Sequence, residues 1–323
     1  MNEQSFVSPE QGQQFLRAYR AGLRLVRIWP LAGAVNSRVA AIEAEESDGR
    51  RCTLVLRQYG PAMVQAEPQI ARHEYDLLSL LSAAGVPVPR PYLVDESGAI
   101  VPGSCLLMEH IDGERIHQPD DLGSFLRQLA AALAAVHACG LSRTEVPFLP
   151  CVSDYAAAEF GEGQNIPEDI VPESAIRTAV VANWPPPQVN EAVVLHNDYW
   201  PGNVLWRDGR IAAVIDWEEA AFGDPMADLA NIRLEIAWHF GTAAMTRLTD
   251  EYLAHRPSAA SGTLPLWDLR TALRACQFPL EASQRPPGQI ASMRAAHRDF
   301  AVAALGQRLN VGIQQALARP GWR

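Results

Sequence analysis

Lysine is missing altogether from this sequence: all 27 basic side chains are arginine, set against 37 acids for a net charge of −10. A chain with that balance lacks the basic surface that binding to a phosphate backbone needs, which excludes nucleic acid as a partner. Cysteine is scarce and scattered, five residues at 52, 105, 139, 151 and 276 with no C-x-x-C spacing. Neither a zinc site nor a disulfide framework is indicated, and a reducing cytoplasm is the expected location. Long apolar runs are missing too: the longest, Leu129 to Val136, is too short to span a bilayer. Met1 is followed by Asn-Glu-Gln-Ser, not by a basic-then-apolar leader, so no membrane association is expected. There is no internal repeat and no low-complexity tract.

What is present is a chain of 323 residues, 48% hydrophobic and 20% charged, long enough for two cores. Phe15, Leu16, Tyr19 and Leu23 recur at helical spacing within residues 1–24. The period then shortens. Leu25–Trp29, Val39–Ala44 and Cys52–Arg57 read as a three-stranded meander, with Asp48-Gly49 turning the last pair. Residues 70–81 predict a helix in which Glu74, Leu77, Leu78 and Leu81 share one face. A carboxylate on that stripe either finds a cation or reaches out from its edge. Prolines at 87, 89 and 91 then force extended backbone. Ser104–Met108 reads as a strand, Phe125–His137 as an alanine-rich helix with His137 in its core stripe, and helices fill 231–255, 266–284 and 288–318.

The densest concentration of chemistry lies between Val193 and Glu218. Asp208-Gly209 between Val204–Arg207 and Ile211–Ile215 is a strong hairpin signal, with Arg207 facing Arg210. Continued without a break, that register sets Asn203 opposite Val214, two short of Asp216 on the same face. Asn203 and Asp216 would then be diagonal neighbours about 7–8 Å apart, within reach of one hard cation. His196 and Asp198 flank Asn197 at the exit of a strand. As plain structure, Asp198 would cap a turn and Asp216 would end a strand, which does not account for their joint spacing.

His196-x-Asp198-x-x-Pro201-x-Asn203, followed by Ile215-Asp216-Trp217-Glu218, resembles the catalytic segment of the aminoglycoside phosphotransferase and choline kinase superfamily. The resemblance implies an α+β, protein-kinase-like fold with a small antiparallel-sheet N-lobe over 1–108 and a larger, mainly helical C-lobe over 109–323. It implies transfer of the γ-phosphoryl group of ATP, with GTP left open, to a hydroxyl of a small molecule. Asp198 would take or orient the hydroxyl proton, Asn203 and Asp216 would hold Mg²⁺, and His196 would support the loop. Arg57 paired with Glu74 would hold the phosphates. Gly33, Asn36 and Ser37 resemble the short glycine loop of small-molecule kinases, although an ordinary turn uses the same residues. Met108, Glu109 and Ile111 correspond to the hinge around an adenine. Asp228, after the Asp224-Pro225 helix start, would brace the catalytic loop.

The acceptor stays open among an aminoglycoside, another antibiotic, choline, homoserine and a sugar, and a nucleotide-binding regulator without turnover is the alternative of another class. The excess of acid lies from Glu109 onward, with 26 acids against 17 arginines. It is densest from Glu145 to Glu173. Glu159, Glu162, Glu168 and Asp169, together with Glu218, are therefore candidates to bind an amine-bearing acceptor by attraction. Nothing in the sequence bears on oligomeric state.

Overall fold

The computed structural model describes residues 6–31, 36–154, 171–277 and 286–317. These divide into two compact units, Met1–Arg115 with Val204–Glu218, and Ile116–Asn203 with Glu219–Arg323. The protein is α+β, with a small antiparallel sheet in the first unit and helices dominating the second.

The first unit opens with α1 (Pro9–Tyr19), started by a capping box in which Ser8 and Gln11 each accept the other's backbone N–H. The helix is shorter than its apolar spacing suggested: Leu23 lies in the turn that follows, yet is buried. Next come β1 (Arg24–Leu31), β2 (Ser37–Glu45), β3 (Arg51–Tyr59), α2 (Pro61–Ala66), α3 (Ile70–Ala83), β4 (Pro91–Asp95) and β5 (Cys105–Glu109). The sheet order is β1-β2-β3-β5-β4, antiparallel throughout. The meander is where the alternation put it. Strand β4 carried no sequence signal, and it starts on a proline at the sheet edge, where a missing N–H costs no ladder bond. Phe15, Leu16, Ile42, Leu56 and Leu107 form one core cluster, each contributing roughly 1.5–3 kcal/mol by leaving water.

The hairpin β7 (Val204–Arg207) and β8 (Arg210–Val214) belongs to this unit. It turns on Asp208 and Gly209 at φ 52° and 72°, the paired left-handed residues of a type I′ turn. Arg207 does face Arg210, but the register slips between Leu205 and Trp206, so Val214 pairs with Val204 and not with Asn203. Ala212 is the extra residue. The uninterrupted ladder expected from the sequence is thus corrected by a bulge, a feature that alternation cannot reveal. The Val214 N–H donates to the Pro87 carbonyl at 2.8 Å, and Glu114 and Trp206 exchange backbone bonds at 2.8 Å each. These bonds hold the hairpin in the first unit, so neither the boundary expected at 108/109 nor a continuous second lobe from 109 matches the division observed.

In the second unit, α4 (Leu122–His137) is capped by Asp121, which accepts the Ser124 N–H at 3.0 Å. It is followed by α5 (Glu173–Val181), β6 (Val193–Leu195), β9 (Ala221–Gly223), α6 (Met226–Phe240), α7 (Thr242–His255), α8 (Leu264–Ala275) and α9 (Pro287–Leu317). The helical segment expected over 231–255 is two helices separated at Gly241, whose φ of 83° suits glycine. Helix α6 is buried along most of its length, so it shows no narrow stripe. Its Arg233 forks onto Asp268 of α8 with two 3.0 Å bonds.

His297 of α9 is fully buried, its Nε2 donates to the Ala272 carbonyl at 2.8 Å, and its Nδ1 has no partner among the described residues. Burial first, and the charge of Arg294 second, push it down to about 4. Unfolded, it takes its proton near 6.5, so the stability tied to the neutral ring is whole above that pH and drains away as pH falls towards 4. At ~1.4 kcal/mol per unit the loss approaches roughly 3 kcal/mol. Urea unfolding of His297→Gln, which keeps a donor but cannot titrate, should show a shallower decline than wild type from pH 7 to 4.5; parallel declines would rule the histidine out.

Candidate active site

A cavity of about 280 Å³ lies within the first unit. Its walls are apolar where Leu31, Val39 and Val55 of the sheet meet Leu78, Met108 and Ile215, and its charged lining includes Arg57, Glu74 and Asp216. Alternation along β3 puts Arg57 and Tyr59 on one face. Helical spacing along α3 turns Glu74 the same way as Leu77, Leu78 and Leu81. Arg57 Nη1 donates to Glu74 Oε1 at 3.0 Å, and the Tyr59 hydroxyl donates to Glu74 Oε2 at 2.6 Å. Both members of the pair are almost wholly buried, 6% and 3% exposed.

The other end of the guanidinium, Nη2, donates to Asp216 Oδ1 at 2.6 Å and also to Glu218. Burial alone would favour a neutral Arg57, but Glu74 and then Asp216 outweigh it and keep the guanidinium charged well past its ordinary range. Burial, reinforced by Glu74, raises the Tyr59 phenol and keeps it a donor. Asp216 has φ 71°, so the chain leaves its strand here and the extended continuation assumed beyond Val214 does not occur. A left-handed non-glycine residue costs roughly 1–2 kcal/mol. The Trp217 indole N–H, donating to the Val214 carbonyl at 3.0 Å, holds the turn closed.

The second unit carries the loop after β6. Asp198 is half-buried; its Oδ2 accepts from Asn203 Nδ2 at 2.8 Å, and its carbonyl accepts from the same nitrogen at 2.9 Å. With Nδ2 committed to Asp198, the oxygen Oδ1 of Asn203 is the end that suits a hard cation. Asn197 and His196 are fully buried, and their N–H groups donate to Asp228 Oδ1 and Oδ2 at 2.7 and 2.8 Å. Asp228 also accepts from His137 Nε2 at 3.1 Å. Burial would raise this acid, but the His137 bond and the nearby histidines outweigh it and hold Asp228 below the ordinary carboxylate range. Asn197 itself sits at φ 62°, and both polar atoms of its side chain are buried with no partner among the described residues. Such an amide costs roughly 1–3 kcal/mol on top of the backbone strain.

Of the residues singled out in the sequence, Arg57, Glu74, Met108, Glu109, Ile111 and Asp216 line the cavity, and Asp198 and Asn203 are bonded to each other. Glu218, expected to meet the acceptor, accepts from Arg57. Asn36 and Ser37 do not appear among the residues lining the cavity. The Asn36 carbonyl accepts the Gly60 N–H at 3.0 Å, and Ser37 opens β2. The N–H of Glu109, one of the groups expected at an adenine, is taken by the Arg90 carbonyl at 2.8 Å. Gly33, Glu159, Glu162, Glu168 and Asp169 lie outside the described residues. At the ends of that acidic run the charge is already occupied: Glu145 accepts from Ser142 and Glu173 pairs with Arg177.

Two partners were missed. Tyr59 had a signal, since it stands two residues from Arg57 on a strand. Arg274 had none: its Nη1 donates to the Asn197 carbonyl at 3.0 Å and its Nη2 to Glu219, across a gap in sequence that no short-range pattern spans.

A small antiparallel lobe with a buried strand Arg–helix Glu pair beside a cavity, and a helical lobe with an Asp–Asn couple on its loop, define a kinase-like phosphotransferase fold. The chain belongs to the phosphotransferase enzyme family (APH), whose sequence profile matches residues 30–267. It is similar to acyl-CoA dehydrogenase family member 11 of Rattus norvegicus, 25% identical over 198 residues that make up 57% of this chain and 25% of that protein. It is also similar to hygromycin-B 4-O-kinase of Escherichia coli, 40% identical over 88 residues, 27% of this chain and 24% of that one. The chain thus spans about a quarter of the length of these relatives. Amicoumacin kinase hAmiN, solved in complex with AMP-PNP, Ca2+ and Ami, shares the fold with a TM-score of 0.63 at 15% identity, covering 90% of this chain and 93% of that one. Among the described residues no helix is long and apolar enough to cross a membrane.

Proposed function

We infer that this protein is a Mg²⁺-dependent kinase moving the γ-phosphoryl group of ATP to a hydroxyl of a small molecule. The observation that carries this reading is the buried Arg57 at the wall of the cavity, held by Glu74 on one side and by Asp216 and Glu218 on the other, since three carboxylates around one guanidinium leave a negative excess that suits a divalent cation and the phosphates it carries. Two relatives support it: amicoumacin kinase hAmiN was solved with AMP-PNP and Ca2+, and another relative is a hygromycin-B 4-O-kinase. Asp198 accepts the hydroxyl proton as the acceptor oxygen bonds to the γ-phosphorus and the bond to the β-bridging oxygen breaks, releasing ADP. Arg57 binds phosphate oxygens, and Glu74 with Tyr59 fixes its orientation.

Asn203 Oδ1 and the Asp216 carboxylate are the proposed Mg²⁺ ligands, hard oxygen donors of the type this ion takes. The ion, when bound, neutralises charge on the transferring phosphoryl group. Asp216→Ala should weaken Mg²⁺-dependent ATP binding by about tenfold or more, because a neutral amide oxygen alone is a poor match for a hard divalent ion. The check is a Mg²⁺ titration of nucleotide binding, and an unchanged curve would remove Asp216 from the ligand set.

The acceptor class follows less from geometry than from charge. An amine-bearing alcohol suits the acidic run that contains Glu159, Glu162, Glu168 and Asp169. The runner-up acceptor is a hydroxylated metabolite such as choline, homoserine or a sugar. A cytoplasmic location accompanies either. The deciding experiment measures ADP release from Mg·ATP with hygromycin B, choline, homoserine and a hexose. Acceptor-dependent release by any of them supports the kinase; nucleotide binding without release under all conditions favours a regulator of the same fold.

A further inference from the structure

We propose that Arg274 is a positioning residue for phosphoryl transfer, holding the loop that carries Asp198 through the backbone carbonyl of Asn197. The inference rests on the kinase reading for its catalytic arm only.

Asn197 is the residue just before Asp198, and its left-handed backbone with a buried side-chain amide that has no partner among the described residues is a conformation the residue would not choose by itself. Something must hold it. Its N–H is taken by Asp228 at 2.7 Å, while its carbonyl accepts two donors, Arg274 Nη1 at 3.0 Å and Asn231 Nδ2 at 2.8 Å. Asn231 is turned by Thr271, whose hydroxyl donates to Asn231 Oδ1 at 2.9 Å. Thr271 and Arg274 both stand on α8, three residues apart and so on one face. One face of α8 therefore controls both donors to a single carbonyl. The second fork of Arg274 binds Glu219, which keeps the guanidinium in one plane and partly neutralised. A ψ rotation at Asn197 would break these bonds and re-aim the following residue, Asp198, so the α8 face sets the direction of the proposed base.

The test compares wild type with Arg274→Met, similar in length without charge, and Arg274→Lys, which keeps one point donor but not the fork. Amide hydrogen exchange of residues 196–198 is read alongside thermal unfolding and phosphate release from Mg·ATP with water as acceptor. Arg274→Met should speed exchange at 196–198 by about tenfold or more while amides in the middle of α4 and α6 keep their rates. Its kcat should fall by about 10- to 100-fold with KM for Mg·ATP within about twofold, the pattern of a misaimed base. Arg274→Lys should recover part of both. Unchanged exchange at 196–198, or a uniform rise across the second unit matched by a lower melting point, would overturn the proposal, as would a loss expressed in KM alone. Asp198→Asn is run in parallel. If it turns over like wild type, Asp198 is not the base and the catalytic arm of the proposal falls, while exchange alone still decides whether Arg274 holds the loop.

Discussion

Asp198→Asn should lower acceptor-dependent kcat by about 10²–10⁴-fold, the range for loss of a positioned general base, or roughly 3–5 kcal/mol of transition-state stabilisation. The fold should survive. Asn203 Nδ2 donates to both Asp198 Oδ2 and the Asp198 carbonyl, and an asparagine at 198 still offers an oxygen to the first bond while the second is untouched. Nucleotide binding should persist too, because the cavity and Arg57 lie in the other unit. Steady-state turnover with the best acceptor and nucleotide titration of the same preparation check the two halves. Retained turnover would take Asp198 out of the chemistry, and lost nucleotide binding would mean that the substitution had damaged the fold.

Arg57→Met should be the most damaging single change in the first unit. It leaves Glu74 with Tyr59 as its remaining partner and takes the shared cation from Asp216 and Glu218. Removing one member of a buried pair costs about 3–5 kcal/mol, because the other charge stays behind without compensation. Glu74→Gln should cost less, since Arg57 keeps two carboxylates and Tyr59 keeps an acceptor. The double variant should be more stable than the sum of the singles by about 1–3 kcal/mol, and non-additive in kcat/KM as well. Equilibrium unfolding and nucleotide kinetics of the three variants measure both cycles. Additive effects would mean that the pair seen here does no joint work in the protein.

Much of this arrangement was written locally in the chain. The period-two runs determined β1 to β3, Asp208-Gly209 determined the hairpin turn, and the apolar face of α3 carried Glu74 where it had either to find a cation or to reach out from the edge. The pairing of Arg57 with Glu74 came from the resemblance to small-molecule kinases, while the place of Glu74 on an apolar stripe gave only the need for some cation. His196, Asp198 and Asn203 came from a single short segment, so their joint presence needed no folding to be seen.

Tertiary structure alone decided the rest. The bulge at Ala212 shifted the register by a residue, because pairing depends on both strands and their surroundings, whereas alternation is a property of one. The left-handed turn at Asp216 ended the strand before the expected face was reached, and it brought Glu218 to Arg57, a contact that no local pattern announces. Membership of 204–218 in the first unit was settled by backbone bonds to Pro87 and Glu114, and backbone groups are the same in every residue, so they leave no mark in composition or pattern. The hold of Arg274 on Asn197 is of the same kind. A side chain on α8 meets a carbonyl distant in sequence, and only the packing of α6 and α8 brings donor and acceptor together.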